Sequence, residues 1–552
     1  MLDWTVLAAT LFGIVAYGVW KSRGIRDTER YLRGDSSLRW YTIGLSVMAT
    51  QASAITFLSV PGQAYDDGMR FVQFYFGLPI AMVVISAFMV PIYYRLKVYT
   101  AYEYLETRFD LKVRLLTAFL FLLQRGLAAG ISIYAPAIIM SSLLGWSLGV
   151  TNVIIGVVVI AYTVLGGTQA LSQHQKQQMI VILSGMVIAG YIVVSKLPTG
   201  VSVGDATRIA GALGRMEIVD FSFDWRDRYN IWSGLTGGFF LALAYFGTDQ
   251  SQVQRYISSQ SLTQSRLGLL FNGAFKVPMQ FGILFIGILV FVFYVFVRPP
   301  VFFNQAAVEA VRTTQYAPQL DRLEERYTEA HRRQRGAAEE FLAGADAQGL
   351  RDAAKEVEAV REDVKTLVKT ALPRAETEDT DYVFITFVIQ TLPAGLVGLL
   401  IAVILSAAMS STASELNALG TTSMVDFYRR VFRPRADDRH YLRASKLLTI
   451  FWGLIALAFA TFASLLDNLI EAVNILGSLF YGPVLGVFIA AFFLPFVGAR
   501  ATLVAALVGQ AVVLAFFVYS KLGFLWFNLV GCAVVALVAV ALSPIWPRER
   551  AA

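Results

Sequence analysis

Runs of apolar residues that carry almost no charge recur along the whole chain, and they constrain its fold more than any other feature. The runs 4–20 and 281–297 are examples, and each approaches the roughly 20 residues that a helix needs to cross the core of a bilayer. Of the 552 residues, 56% are apolar and only 15% are charged, whereas soluble domains carry about 25% charged residues. The sequence therefore predicts an all-α, polytopic membrane protein.

Glycine, proline and charge clusters mark the ends of these runs and divide the chain into about 13 transmembrane helices. The predicted helices are 3 to 21, 38 to 65, 70 to 95, 112 to 145, 149 to 168, 172 to 196, 230 to 256, 264 to 297, 394 to 426, 443 to 465, 468 to 495, 499 to 520 and 524 to 545. No small-residue cleavage pattern follows the first of them, so we expect a retained span rather than a signal peptide.

The basic residues predict the orientation of the chain. An outside N-terminus places the clusters 21–39, 95–114, 429–446 and 548–550 all in the cytoplasm, as the positive-inside rule requires. We therefore expect a multi-pass protein of the bacterial inner membrane, its plasma membrane, with a cytoplasmic C-terminus. Because the net charge of +7 falls mainly in these loops, we expect the lipid bilayer and no nucleic acid as a partner. The single cysteine, Cys532, excludes a disulfide framework.

The stretch 301–380 differs from the rest because it is charged, rich in alanine and nearly free of glycine and proline. Its apolar residues follow heptad-like spacing in two runs. They are Leu320, Leu323, Tyr327, Ala330, Ala337 and Phe341, and then Ala353, Val357, Val360, Val364, Leu367 and Ala371. We expect an antiparallel helical hairpin outside the membrane, either as a solvated spacer or as a surface for gating or for a protein partner.

Two patches of small and hydroxyl-bearing residues lie within predicted spans. Residues 49–57 have the sequence ATQASAITF, which indicates either close helix packing or a broken helix whose freed carbonyls bind a cation. Residues 406–414 have the sequence SAAMSSTAS. Their hydroxyls are oxygen donors suited to Na⁺, unless they bond their own helix backbone. Both interpretations stay open for each patch.

Several motifs are typical of one transporter family. They are YEYLETRF at 102–109, YAP at 134–136, YTVLGG at 162–167, DQSQVQRY at 249–256 and MSS at 409–411. In order and wording they resemble signatures of the sodium:solute symporter family, and they look closest to its branch of sialic acid, monocarboxylate, vitamin and iodide carriers. The resemblance spans almost the whole chain except 301–380.

The resemblance implies a five-plus-five inverted-repeat core of the leucine-transporter type, with one extra helix before it and two after it. The implied division is an extra helix and basic cytoplasmic loop at 1–37, the first repeat and the start of the second at 38–300, the extracytoplasmic hairpin at 301–380, the remainder of the second repeat at 381–495, and two C-terminal helices with a short tail at 496–552. It also implies Na⁺ as the co-transported ion and no organic cofactor.

The family's principal sodium site uses backbone carbonyls and hydroxyls from the first and eighth core helices. The matching positions here are Ala49, Ala52, Ala407, Ser410 and Ser411. Relatives usually have an aspartate at the position of Gln175, near the sodium exit route or an additional sodium site. Ala413 also lacks a hydroxyl associated with that additional site, so a second Na⁺ is not expected.

Lys176, next to Gln175, leaves two interpretations open. Its ammonium takes the place of Na⁺ in a proton-coupled or sodium-independent carrier, or it reaches toward lipid phosphates at the cytoplasmic rim.

For the solute, the resemblance to sialic acid carriers implies contacts at four positions. They are Ser53, Thr56, Phe71 and Tyr75. Tyr245, beside the expected break in the sixth core helix, is a further candidate for solute contact or for packing. Arg125 lies about one turn before the family's carboxylate-binding position. It either binds an anionic solute or pairs with Gln124 and nearby carbonyls.

These patterns predict a sodium-coupled secondary active symporter that imports a small polar organic solute, anionic in one interpretation, by alternating access. A transporter-like solute sensor is the alternative from another class. An enzyme is not expected, because His174, His331 and His440 lie in separate predicted loops and form no metal-ligand spacing.

Overall fold

The computed structural model describes residues 2–7, 9, 12–13, 38–141, 146–164, 175–373, 377–393, 395–461 and 469–548. Within these ranges the regular structure is helical, and the extended pairings are two isolated bridges, Leu38 with Ser259 and Val497 with Pro547. The predicted all-α class is therefore confirmed. The predicted helix 3 to 21 and the basic loop that follows it lie mostly outside the described residues.

The helices before the insertion include two spans that are interrupted. They are α1 (Trp40–Gln51), α2 (Ala54–Asp67), α3 (Leu78–Val84), α4 (Val90–Leu96), α5 (Glu103–Arg108), α6 (Leu111–Leu144), α7 (Leu148–Ser195), α8 (Val203–Ala212), α9 (Gly238–Thr248), α10 (Gln250–Tyr256) and α11 (Leu262–Phe296). A 3₁₀ segment at Gly68–Tyr75 and π-helical turns at Ile85–Met89 and Ser233–Gly237 join some of them. The interruptions fall between α1 and α2 and between α9 and α10.

The insertion and the rest of the chain are also helical. Their helices are α12 (Gln305–Arg312), α13 (Ala317–Leu342), α14 (Ala347–Ala371), α15 (Thr380–Thr391), α16 (Leu396–Thr422), α17 (Asp438–Ala460), α18 (Leu469–Phe493), α19 (Ala499–Tyr519) and α20 (Leu525–Leu542). A π-helical segment, Ser423–Phe432, extends α16.

Nine helical segments among the described residues are long and apolar enough to cross a bilayer. Large apolar side chains are exposed on their outer faces, such as Val187 (74% exposed) on α7 and Leu537 (69% exposed) on α20. Large apolar patches are rare on proteins that are surrounded by water, whereas lipid tails are as apolar as leucine. The chain is therefore a multi-pass membrane protein, as predicted.

The predicted boundary between the helices 149 to 168 and 172 to 196 falls among residues 165–174, which lie outside the described residues. On either side of them, 148–164 and 175–195 are helical.

Helix α16 forms the centre of the bundle. It packs against α6 and α7 as well as against α1, α2 and α10. Every residue of α16 from 400 to 422 is buried, which is the pattern of a helix enclosed by others on all sides. Both interrupted spans therefore meet the same buried helix.

Helices α13 and α14 form a hairpin with a small apolar core. The buried residues shared between them include Leu320, Tyr327, Ala330, Val357, Val360, Val364 and Leu367. The hairpin also touches the rest of the protein. Nε2 of His331 donates to the Tyr294 carbonyl (2.9 Å), and Nε of Arg351 donates to the Ala212 carbonyl (2.8 Å). Because burial lowers the pKa of His331, this ring stays neutral at pH 7.

Gly287 on α11 allows a close approach between α11 and α2, the second half of the first interrupted span. A Cβ atom added there would lie 2.3 Å from the Pro61 carbonyl oxygen and 2.8 Å from its Cα on α2. Such distances require the two helix backbones to separate.

We predict that Gly287→Ala lowers the stability of the purified protein by about 1–3 kcal/mol, the usual cost of overpacking. The matched control is Gly282→Ala on the same helix, where an added Cβ meets nothing within 4 Å. Better helix propensity should leave this control unchanged or up to about 1 kcal/mol more stable. Thermal unfolding in detergent distinguishes the two variants, and equal melting temperatures would contradict the packing of α11 on α2.

Candidate functional site

Ala52 and Ser53 interrupt the helix between α1 and α2 in the middle of a span. Their dihedral angles, φ −79° and ψ 81° for Ala52 and φ −87° and ψ 177° for Ser53, are not helical. The Ser53 amide donates to the Gln51 carbonyl (3.0 Å) instead of Ala49, and the Thr56 amide donates to the Ser53 carbonyl (3.0 Å) instead of Ala52. The carbonyls of Ala49 and Ala52 thereby lose the donors that a continuous helix supplies.

Helix α16 presents hydroxyls to this region. The Ser410 hydroxyl is buried and has no hydrogen-bond partner in the described part of the chain. The Ser411 hydroxyl donates to the carbonyl of Ala407 (3.2 Å). Oγ1 of Thr50 and Oγ of Ser414 are 3.4 Å apart, so α1 and α16 touch at this level. Freed carbonyl oxygens and nearby hydroxyl oxygens are the groups that bind Na⁺ where a transporter helix is unwound.

All five predicted sodium ligands are buried. The exposed fraction is 0% for Ala49, Ala52 and Ala407 and 1% for Ser410 and Ser411. A buried hydroxyl without a partner costs about 1–3 kcal/mol, and a bound cation would remove that cost at Ser410. The residues present therefore fit a small cation that is transported as cargo.

Gln175 on α7 joins the two segments. Its Nε2 donates to the Ser410 carbonyl (3.3 Å), to Thr50 Oγ1 (3.2 Å) and to Ser414 Oγ. Its Oε1 accepts a hydrogen bond from the Ser46 hydroxyl (2.5 Å). The amide thus points a donor at oxygens that would otherwise be available to a second cation.

Lys176 lies in a different environment from its neighbour. Its Nζ is 5.8 Å from the ring centroid of Tyr41, and Tyr41 precedes Ala49 by eight residues on α1, about 12 Å along a helix. Gln175, with 0% exposure, is therefore the residue of this pair that faces the predicted sodium ligands.

At the second interruption, between α9 and α10, side chains supply the hydrogen bonds that the broken helix lacks. The last three carbonyls of the α9 end each accept a hydrogen bond from a buried tyrosine hydroxyl. The pairs are Tyr256 with Phe246 (3.0 Å), Tyr93 with Gly247 (2.8 Å) and Tyr102 with Thr248 (3.1 Å). Asp249, at the interruption itself, caps α10 through the Ser251 amide (2.8 Å). These carbonyls already have partners, unlike those freed at the first interruption.

A cavity of about 70 Å³ lies between the two interruptions. The predicted solute residues Ser53, Thr56, Tyr75, Arg125 and Tyr245 line it, together with the predicted sodium ligand Ser411. Phe71 does not line it. Its ring stacks on Phe74 with 5.6 Å between centroids, and Phe74 does line the cavity, so Phe71 supports the wall from behind.

Arg125 pairs with side chains that the sequence alone does not identify as its partners. Its guanidinium donates to the carboxylates of Asp249 and Glu415 and to the Tyr481 hydroxyl. It also lies 5.3 Å from the ring centroid of Tyr245. The two carboxylates are 124 and 290 residues away along the chain, and no local motif signals such pairs. Gln124 reaches the same Tyr481 hydroxyl, at 3.4 Å.

Lys276 on α11 was also missed. It is fully buried, and its Nζ has no hydrogen-bond partner among the described residues. The ammonium lies 5.8 Å from the ring centroid of Tyr75, whose hydroxyl accepts from Gln280. A lysine inside an apolar run is itself a signal of function, and it would have identified this residue.

Comparison with known proteins gives a consistent picture. The family model described as "Sodium:solute symporter family" matches residues 31–320 and 365–509, so the gap falls in the hairpin. The human sodium/iodide cotransporter is 27% identical over 504 residues, which are 89% of this chain and 66% of that protein. The chain thus spans about two thirds of that relative's length. The sodium/sialic acid symporter of Proteus mirabilis (strain HI4320) is 24% identical over 551 residues, which are 100% of this chain and 96% of that protein.

A solved structure has the same fold over the whole chain. The structure of a Na⁺-coupled sialic acid symporter in a substrate-bound, outward-open state matches with a TM-score of 0.79 at 22% identity, and covers 100% of this chain and 99% of that one. The five-plus-five fold class predicted from the motifs is therefore confirmed.

We predict that replacing Ser410 and Ser411 together by alanine raises the Na⁺ concentration at half-maximal stabilisation about tenfold or more, a loss near 1.4 kcal/mol. Two oxygen ligands disappear while helix propensity is kept. Thermal unfolding in NaCl against choline chloride measures the change.

The matched control for this double variant is Thr421→Ala. Thr421 is also buried on α16, and its hydroxyl has no hydrogen-bond partner among the described residues, but it lies 11 residues beyond Ser410, about 16 Å along the helix. Its Na⁺ response should equal that of the wild type. An unchanged Na⁺ response in the double variant would remove these two hydroxyls from the site.

Proposed function

We propose, from the premise that this chain belongs to the sodium:solute symporter family, that it imports a small polar organic solute together with Na⁺ by alternating access. Na⁺ is the co-transported ion of this family, and the fold is that of a sodium-coupled carrier. The observations that carry the proposal are the carbonyls freed at Ala49 and Ala52 and the unpartnered Ser410 hydroxyl on α16, a helix that contacts both α1 and α2.

The interrupted helix gives the ion a role in coupling. Na⁺ bound between the α1–α2 interruption and α16 would fix the first span to the helix at the centre of the bundle. Ser53, at that interruption, and Ser411, on α16, both line the cavity. A bound ion and a bound solute would therefore stabilise the same two segments. Binding of one then favours binding of the other, which is the thermodynamic basis of coupling.

We also propose the orientation and the setting of the protein. It is a multi-pass membrane protein, and its basic clusters favour a cytoplasmic C-terminus, an outside N-terminus and the bacterial inner membrane. No covalent step is needed for such transport, so we propose a carrier rather than an enzyme.

The solute site is proposed from the residues that line the cavity. Ser53, Thr56, Tyr75 and Tyr245 offer hydroxyl groups and aromatic faces to a polar solute. Lys276 lies behind Tyr75, with its Nζ 5.8 Å from the ring centroid, and does not itself line the cavity. Relatives are named as carriers of sialic acid, monocarboxylates, vitamins and iodide, and these classes belong in a first screen of solutes.

The hairpin is proposed as a surface that docks on the transporter body. Arg361 of α14 is paired with Asp379 (3.0 Å) and lies 6.0 Å from the ring centroid of Tyr65, near the end of α2. Contact with an interrupted span supports a role in gating over that of a free spacer. A protein partner for its outer face remains the second possibility.

The proposed function predicts uptake that requires a Na⁺ gradient. Thermal-shift screening of sugars, carboxylates, amino acids and vitamins, with and without Na⁺, selects a probe. Its initial uptake rate in proteoliposomes should be at least about tenfold higher with an inward Na⁺ gradient than with choline. The rate should depend on Na⁺ with a Hill coefficient near 1, because the Gln175 amide blocks a second site. Equal uptake in choline would contradict sodium coupling.

A gain-of-function variant tests the role of Gln175 within that experiment. Gln175→Asp combined with Ala413→Ser replaces a donor by a carboxylate and adds a hydroxyl, so the Hill coefficient for Na⁺ should rise above 1. Gln177→Asp, at an exposed position of the same helix, is the matched control and should leave it unchanged. A coefficient that stays near 1 in the double variant would show that more than these two residues exclude the second ion.

A further inference from the structure

Glu415 places a carboxylate in the wall of the central cavity. It lies on α16 one helical turn after Ser411, on the same face, and both residues line the cavity. Only 6% of Glu415 is exposed. Its Oε1 accepts from Nη1 of Arg125 (3.0 Å), whereas its buried Oε2 has no hydrogen-bond partner among the described residues. The Ser132 hydroxyl, which also lines the cavity, faces the Glu415 carboxylate as a neutral hydrogen-bond donor and leaves its charge unbalanced.

The ion pairs around Arg125 leave one negative charge in excess. A single guanidinium faces two carboxylates, those of Asp249 and Glu415. The oxygens of Asp249 are all engaged, Oδ1 by the amide and hydroxyl of Ser251 and Oδ2 by Arg125 and the Tyr481 hydroxyl. The carboxylate oxygen that is left without a hydrogen-bond partner among the described residues is therefore Oε2 of Glu415. A buried charge without a partner costs several kcal/mol.

The rest of the wall suits a ligand of the opposite charge. The rings of Phe74, Tyr75 and Tyr245 line the cavity, and aromatic faces attract cations. Gln51 adds an acceptor, Oε1, that has no partner in the described part of the chain. The unpartnered donors in the wall are Nε of Arg125 and Nδ2 of Asn474, and they would suit an acceptor on the same ligand.

We propose that the solute carries a positively charged nitrogen that binds Oε2 of Glu415, so that the site selects cationic or zwitterionic solutes over simple anions. This inference rests on the proposed function, because it assumes that the cavity holds the solute. Arg125 is then a positioning residue, which orients Glu415 rather than binding a solute carboxylate with its full fork.

The test compares amines with matched acids. The probes are sets of equal chain length, such as 4-aminobutyrate, butylamine and butyrate, with the same sets for shorter and longer chains. Thermal shifts of the full chain in saturating NaCl should be largest for a probe with a cationic nitrogen.

Glu415→Gln should weaken that probe's binding about tenfold or more, which is about 1.4 kcal/mol. Glu415→Asp should restore part of it, and Na⁺ stabilisation should persist in both variants. Glu340→Gln, on the exposed face of the hairpin, is the control and should change nothing.

Several results would overturn the proposal. One is that a simple anion is the strongest probe, or that no amine stabilises the protein. Another is that Glu415→Gln lowers the number of Na⁺ ions bound per chain and affects all probes equally, which would assign a second Na⁺ to this carboxylate. A third is uptake driven by a proton gradient that Glu415→Gln abolishes, which would assign a proton. If the wild-type protein showed no Na⁺-driven uptake of any solute, that result would instead contradict the proposed function itself.

Discussion

A backbone carbonyl inside a bilayer needs a partner within the protein, because there is no water to take that place. This chain interrupts two spanning helices and meets the requirement in two ways. At the α9–α10 interruption, three buried tyrosine hydroxyls donate hydrogen bonds to the last three carbonyls of α9. At the α1–α2 interruption, the amides that would bond Ala49 and Ala52 are diverted to other carbonyls. The second solution leaves oxygens for an ion, and the proposed sodium site depends on this difference.

Two buried side chains hold the halves of the site together. Gln175 connects α7 to α1 and α16, and Arg125 connects α6 to α16, α18 and the α9–α10 interruption. Each bridges helices that are distant in sequence, and removing either would leave several buried polar groups without partners. The proposed ion site therefore lies beside a hydrogen-bonded network around α16, and the interrupted span would provide its carbonyl ligands.

The parts of the proposed site that the sequence makes visible are the local ones. The patch at 49–57 and the hydroxyls at 406–414 each lie within one short segment, so their chemistry is visible without the fold. The ionic partners of Arg125 were not predictable, because Asp249 and Glu415 meet it only through tertiary packing. Lys276 was overlooked although its position in an apolar run was visible.

The most direct test of the central claim is hydrogen–deuterium exchange of the purified protein in NaCl and in choline chloride at equal ionic strength. If Na⁺ joins the α1–α2 interruption to α16, peptides covering residues 46–57 and 404–414 should both exchange several-fold more slowly in NaCl, because local opening becomes less frequent. A peptide from α14 in the hairpin should exchange equally in the two salts. Equal exchange of the first two peptides in both salts would contradict a sodium site at this interruption.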